Sequence, residues 1–412
     1  MSSNVYVFVQ QSLKEKPVLA GRLVFSDAFV VFSYAKSWLS NNNAFAFHPN
    51  FLPLRAGTYQ EGSLEGSLSV FRDSGPGIWG KEVIKKLHGQ IGVDEQLILS
   101  NNMLRIGVFR YSANHKDDFY NDQNNEPMLV KEIFEAIEFF DSGVELSERQ
   151  KRLLEQGSSM DGMQPKDFFD ISGCPYIVKF PYKNSMDDKA VNEFVGMALA
   201  KECGIEAPNV LLVTLDQNRH ALAVQRFDID GDTVFPLMSA ASVMGFRDKD
   251  DGKKSYIELA KTIVIMSSQP EQDCLSLFKR MVLNIMISNK DDHIYNHAFI
   301  RVSDKWKLSP VYDVVCGEGM KRDHSMVIGS NGRQGTLTNA ISMCSAFGLS
   351  SENAKLVIGE MIDVVSDWKL LALRNGLNVQ QVKSVEWSIL HQDIFRGYEN
   401  QAKKSVDKKA TQ

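Results

Sequence analysis

The chain is poor in cysteine, with five among 412 residues and no C-x-x-C pair. Cys174, Cys203, Cys274, Cys316 and Cys344 stand singly, which excludes a disulfide framework or a zinc knuckle and points to reduced thiols in a cytoplasm. Long apolar runs are missing too: the nearest candidate, residues 260–266, is far too short to span a bilayer. The first residues carry no basic region ahead of the apolar run 5–9, so no secretory signal is expected. There is no excess of positive charge. Lys and Arg number 46 against 51 Asp and Glu, a net charge of −5, which excludes a basic footprint able to grip nucleic acid unaided; any DNA contact would come through a partner. No internal repeat occurs. What remains is an ordinary globular composition, 43% hydrophobic and 24% charged, long enough for two or three folding units.

Three short segments rich in Val, Phe or Tyr, 5–9, 20–25 and 28–33, read as strands, with Ser26-Asp27 turning between the last two. Residues 78–87 have helical character and 104–111 return to strand. The polar, turn-rich stretch 112–127 reads as a linker, and a domain boundary falls there. Beyond it, Leu129, Ile133, Ile137 and Phe140 form a helical stripe over 129–140. Residues 147–156 form a second helix, with Ser147 as N-cap and Gln150 completing a capping box. Residues 175–180 are strongly β, 190–203 are helical and end at Gly204, and 210–215 and 221–227 are strands around Gln217-Asn218. From 255 onward helices dominate: 256–266, 270–287 with Pro270 in the first turn, 351–372 and 379–398, before a charged tail. Between them, 288–296 breaks the period and 297–302 with 306–308 makes a hairpin across Ser303-Asp304-Lys305. The expected class is α+β, in the order of a two-lobed protein kinase. A small β-rich N-terminal subdomain (1–125) precedes a sheet-bearing lobe (126–245) and a mainly helical C-terminal lobe (246–412).

The segment from Asn289 to Asn296 closes an apolar helix with a run of polar residues that packing does not explain. Asp291 and Asn296 have the D-x-x-x-x-N spacing of the kinase catalytic loop. There, a carboxylate accepts the substrate hydroxyl's proton and a neutral amide helps to hold magnesium. Asp313, beyond the hairpin, is placed to supply a second carboxylate to the metal. A simpler account fits the same residues: Asp291 or Asp292 caps a turn and Asn296 takes a left-handed conformation. A zinc reading competes as well, because His293 and His297 would share one face if that stretch were helical.

Lys179 interrupts a β-rich apolar run, which is costly unless an anion meets it. In kinases such a lysine contacts the nucleotide's phosphates and pairs with a helix glutamate, for which Glu193 is the candidate. The alternative is an edge-strand lysine pointing to water. Residues 157–166 have the G-x-x-x-x-G part of a P-loop but continue Met163-Gln164, so the P-loop NTPase motif fails on its lysine and its hydroxyl. What survives is a loop whose backbone amides and Lys166 could meet phosphates.

Together these fragments resemble the HipA family of toxin kinases over most of the chain. In the first part the resemblance lies in Phe32-Ser33-Tyr34, Ser37-Trp38-Leu39, Phe51-Leu52-Pro53-Leu54, the run from Val70 to Pro76 with Trp79-Gly80, and the run from Arg105 to Arg110. Further on it lies in Gln164-Pro165-Lys166, the run from Ile177 to Pro181, Arg226-Phe227-Asp228, Asn289 to Asn296, Leu308 to Asp313 and Ile328-Gly329. The resemblance implies a HipA-type two-lobed kinase fold using ATP and Mg2+, with Asp291 as catalytic base and Asn296 and Asp313 as magnesium ligands. It also implies that Lys179 holds the ATP phosphates, that His293 and Tyr312 line the nucleotide site, and that Gln225, Phe227 and Asp228 form the hinge against adenine. Ser159 falls where the family autophosphorylates, with Ser158 as the other acceptor; a phosphate there would repel those of ATP and eject the loop. Gln225 replaces a frequent glutamate, and residues 237–241 replace a more acidic segment. Implied partners are a helix-turn-helix antitoxin of HipB type, operator DNA through that antitoxin, and an aminoacyl-tRNA synthetase phosphorylated on serine. The rival expectation is a catalytically inactive kinase fold that binds the antitoxin and DNA.

Overall fold

The computed structural model describes residues 2–102, 104–117, 119, 129–160, 162–181, 188–216, 219–247, 252, 254–317 and 323–398. Most of the linker expected at 112–127, the turn at Gln217-Asn218, Asp161 and the charged tail therefore lie outside the described residues. The chain divides into two compact units, Met1–Ser185 with Val213–Arg247 and Met186–Leu212 with Asp248–Gln412.

The first unit opens with a five-stranded antiparallel sheet in the order Thr58–Glu61, Val30–Tyr34, Val18–Phe25, Ser3–Val9, Phe109–Ser112. Val5, Val7 and Val9 face inward with the period of two that a strand imposes. Behind the sheet lies an aromatic core in which Phe32 sits 4.7 Å from Phe71 and Phe47 sits 4.7 Å from Phe109. Gly21 makes room for it, since a Cβ there would fall 2.4 Å from the Phe32 ring. A second sheet runs Lys166–Ile171, Cys174–Lys179, His220–Gln225. Ser172 and Gly173, at φ 57° and 81°, make the tight turn between its first two strands. The helices Ile78–His88, Val130–Ser142 and Glu148–Gly157 bury Trp79, Ile133, Ile137, Phe140 and Leu153 in one core with Val178 and Phe180.

Buried charges join the two parts of this unit. Arg226 grips Asp228 through two hydrogen bonds of 3.0 and 2.7 Å, and the Gly107 amide donates to the same carboxylate at 2.7 Å. Arg226 also donates to the Arg105 carbonyl, while the Arg105 guanidinium reaches Asn102, the Ser74 carbonyl and Ser100. Burial opposes the charge on Asp228, but Arg226 and the Gly107 amide hold its carboxyl below the usual range. Breaking one side of such a buried pair costs about 3–5 kcal/mol.

The second unit is mainly helical. Its central helix, Pro270–Met286, is buried along Leu277, Phe278, Met281, Val282 and Ile285 and packs against Tyr256–Met266 and Ser351–Ser366. A hairpin of Ala298–Val302 and Lys305–Leu308 turns at Ser303 and Asp304, both left-handed. Among the described residues no helix is long and apolar enough to cross a membrane.

Several elements differ from expectation for tertiary reasons. Only Phe109–Ser112 of the stretch 104–111 is strand, because the preceding residues wrap the buried Arg105 guanidinium. The strand Lys166–Ile171 was expected to be loop at its start. The helix expected over 351–372 breaks at Asp367 into Ser351–Ser366 and Trp368–Arg374. Of 379–398 only Val379–Val385 is α-helical; Leu390 takes φ 52° and donates its amide to the Met286 carbonyl, which pulls the chain out of helix. Residues 186–212, with the helix Lys189–Glu202, group with the C-terminal part.

Candidate functional site

In the second unit, the helix Pro270–Met286 hands the chain to Ser288, which turns sharply at φ 54°. Asn289 then binds back to Asn284 twice, amide to carbonyl at 2.9 Å and side chain to side chain at 3.0 Å. Asp292 is buried, and one of its oxygens accepts hydrogen bonds from the Asn284 amide at 2.9 Å, from His297 Nε2 at 3.0 Å and from the Tyr256 hydroxyl. Burial opposes its charge, yet His297 and the Tyr256 hydroxyl hold its carboxyl below the usual range. The Tyr256 hydroxyl is in turn pushed well up by burial and by Asp292.

The neighbouring Asp291 is different. It is half-buried, and its carboxylate makes no hydrogen bond to any described residue. Asn296 sits in the 3-10 turn Ile294–Asn296, its backbone amide bonded to the His293 carbonyl at 2.8 Å, while its side-chain amide is unclaimed among the described residues. The Tyr312 hydroxyl donates to the Tyr295 carbonyl at 2.8 Å and so ties the segment before Asp313 to this turn. Asp313 itself is left-handed, at φ 60°, a conformation that costs a non-glycine residue about 1 kcal/mol and collects at functional sites. Its loop is held by the amide of Val311 on the Glu206 carbonyl at 2.8 Å and of Cys316 on the Asn192 carbonyl at 3.2 Å. Gly196 of the helix Lys189–Glu202 lies so close that a Cβ would fall 2.1 Å from the Val314 carbonyl oxygen.

Two simpler accounts lose their premises. Asn296 is not left-handed, and Asp292 anchors a buried network instead of capping a turn. Residues 293–297 are not one α-helical turn, and His297 begins an extended stretch with its ring on Asp292, so the two imidazoles do not share a helix face. The His293 ring packs on Tyr295 at 5.9 Å with Nδ1 buried and without a hydrogen bond, the kind of atom a ligand or water satisfies.

In the first unit, Lys166 and Lys179 are direct cross-strand partners, both half-buried. Phe180 and its neighbours set that register: the Phe180 amide donates to the Pro165 carbonyl at 2.8 Å, and the Gln164 side chain to the Phe180 carbonyl at 2.8 Å. Lys179 is not on an edge strand, since Cys174–Lys179 is flanked on both sides. The register sets their two side chains on one face of the sheet. Gly162, at φ 112°, lies over the Lys166 ammonium, which is 2.3 Å from where a Cβ would be. In the same loop, the Ser158 hydroxyl donates to the Glu155 carbonyl at 2.6 Å, and Ser159 is buried with its hydroxyl unbonded among the described residues. Beside them Asp167 is buried, one oxygen accepting its neighbour's amide at 2.7 Å and the other unbonded; burial pushes its carboxyl up to about 8. Gln225 and Phe227 are half-buried at the end of His220–Gln225. The Asp228 carboxylate accepts hydrogen bonds from Arg226 and from the Gly107 amide.

The donor set suits magnesium with a nucleotide. Asn296 and Asp313 offer hard oxygens, and among the described residues no cluster of three His, Cys, Asp or Glu could hold a metal alone. Magnesium is commonly held by one or two carboxylates plus substrate phosphates. Sequence reasoning gave Asp292 only a turn-capping role and missed Asn284 and Tyr256; the available signal was Asn284, a polar residue at the apolar end of a helix.

The family model described as HipA-like C-terminal domain matches residues 158–368. A Sinorhizobium fredii protein named "Putative kinase Y4dM" is 29% identical over 157 residues, 35% of this chain and 38% of that protein. A Haemophilus influenzae protein named "Putative kinase" is 29% identical over 184 residues, 39% of this chain and 53% of that protein. The matched part thus spans about half or less of these curated relatives. The fold is similar to that of Shewanella oneidensis HipA, solved with HipB and operator DNA, at TM-score 0.68 and 18% identity over 97% of this chain and 99% of that one.

Proposed function

The chain belongs to the family defined by the HipA-like C-terminal domain, and from that premise we propose that it is an ATP- and magnesium-dependent serine/threonine protein kinase of the HipA toxin type. One observation carries the reading: within a loop otherwise pinned by hydrogen bonds, the Asp291 carboxylate and the Asn296 side-chain amide are unclaimed among the described residues, and the Tyr312 hydroxyl ties the segment leading to the left-handed Asp313 to the same turn. In this reading Asp291 accepts the proton of the substrate hydroxyl, while Asn296 and Asp313 supply oxygens to magnesium. Held by Asn296 and Asp313, magnesium would supply positive charge against the negative charge that develops on the transferred phosphate. Lys179 and Lys166 hold phosphates, His293 and Tyr312 line the nucleotide, and Gln225, Phe227 and Asp228 contribute the hinge. Residues 1–125 form the HipA-type subdomain, 126–245 the lobe of the phosphate-binding loop and 246–412 the lobe of the catalytic loop.

The substrate is a serine of a translation protein, an aminoacyl-tRNA synthetase, and Ser159 is the autophosphorylated residue. Both Ser158 and Ser159 are buried, so autophosphorylation requires the loop to swing out. The partner is an antitoxin of HipB type, through which DNA is met; this reading draws on the complex of the Shewanella oneidensis protein. Transfer of labelled γ-phosphate from MgATP to the chain's own Ser158–Ser159 peptide tests the activity. Asp291→Ala should lower it at least about 100-fold, the scale of a general base. Equal labelling of mutant and wild type would end the reading in favour of an inactive binding module.

A further inference from the structure

We propose, building on the phosphate-binding role given above to the loop after residue 157, that the start of the helix Ile78–His88 is the latch that keeps this loop folded in, with Gly77 and Gly80 as positioning residues. A helix start leaves amides without partners. Here no side chain caps it, and no acidic residue stands in its first turn. The loop does the capping: the Gly77 amide donates to the Met160 carbonyl at 3.1 Å and the Trp79 amide to the Gly162 carbonyl at 3.3 Å. Gly80 lets the two backbones touch, because a Cβ there would lie 2.0 Å from the Ser158 carbonyl oxygen.

Its two ends are pinned, Ser158 on the Glu155 carbonyl and Gln164 on the Phe180 carbonyl, but three buried atoms beside it, Gln156 Oε1, Ser159 Oγ and Asp167 Oδ2, have no hydrogen bond among the described residues. Such atoms gain water when the loop opens, which favours the open state. The folded-in state therefore leans on the helix cap and the glycine contact. Weakening either shifts the population outward, and apparent nucleotide affinity falls with the competent fraction. Gly80 touches no ligand; it acts through the loop.

The test is backbone hydrogen exchange of the full chain, without nucleotide, read by mass spectrometry on peptides covering 158–163, in wild type and Gly80→Ala. Exchange there should rise about tenfold in the variant, and its KM for ATP should rise about tenfold with kcat within about twofold. Unchanged loop exchange overturns the latch, whatever the activity. Raised exchange in a chain that binds no MgATP in either form leaves the latch standing and removes the kinase reading instead. Should Gly80→Ala fail to fold, the wild type decides. Under mild denaturant the amides of Gly77 and Trp79 should lose protection in step with those of the loop, and separate rates overturn the proposal.

Discussion

Asp291 and Asp292 are neighbours in sequence with opposite surroundings. One oxygen of Asp292 gathers three donors, whereas Asp291 has none among the described residues. Asp292→Ala should destabilise the chain by about 3 kcal/mol, because it strands a buried tyrosine, an asparagine and a histidine. Asp291→Ala should stay within about 0.5 kcal/mol of wild type. Urea unfolding of both variants checks this, and equal losses would mean the two roles are wrongly divided. The spacing to Asn296 was legible in sequence, but the division was not, since it depends on Tyr256, 36 residues away. His48 offers a pH test of similar origin. Its Nδ1 accepts amides of Asn50 at 3.1 Å and Phe51 at 3.0 Å, and Nε2 donates to the Val243 carbonyl at 3.0 Å, so the ring is neutral. Burial pushes its pKa from 6.5 down to about 4. Between those values the unfolded chain binds the extra proton and the folded chain does not, so stability rises with pH there and falls on acidification. Acidification from pH 7 through that window should cost up to about 3 kcal/mol through His48. His48→Asn should lose that share of the slope in denaturant titrations at pH 7 and pH 4.5; an unchanged slope would assign the acid sensitivity elsewhere.

At the scale of elements, local chemistry was readable where it acts locally. Ser147 and Gln150 form the capping box their spacing implies, Pro270 opens its helix, and Gly204 ends Lys189–Glu202 at φ 70°. Reading failed where a distant partner overrides propensity, as with the buried Arg105 inside an apparent strand and the Leu390 amide drawn to Met286. The family motifs that looked like separate fragments are often each other's partners. Gln164-Pro165-Lys166 is zipped to Lys179-Phe180, and Arg226-Phe227-Asp228 closes on Gly107. The helix Lys189–Glu202 supports the Asp313 loop through the close approach of Gly196 to Val314. Gly196→Ala should therefore force that carbonyl aside, costing about 1–3 kcal/mol of stability. Its sharper signature should be in metal use: the magnesium concentration for half-maximal labelling should rise severalfold. A stability loss with an unaltered magnesium requirement would make Gly196 a packing residue alone.

For the whole molecule, the α+β class and the order of a sheet-rich part before a helical part were legible from periodicity and turn chemistry. The grouping of 186–212 with the C-terminal unit was not, because it is set by contacts such as Val311 with Glu206 and Cys316 with Asn192. Charge is the whole-molecule property that bears on the proposed partners. Non-specific DNA affinity comes largely from counterions released as cationic side chains neutralise phosphates, and it falls steeply with salt. A net charge of −5 repels the duplex at long range, and the 51 acidic residues outnumber the basic ones. The chain alone should thus leave the fluorescence anisotropy of a labelled operator duplex unchanged at about 0.15 M salt. Added to a duplex already holding a HipB-type antitoxin, it should raise the anisotropy further, with a salt dependence no steeper than the antitoxin's own. Tight binding by the chain alone, with a steep salt slope, would mean a local basic surface outweighs the net charge, and the antitoxin would no longer be needed to explain any DNA contact.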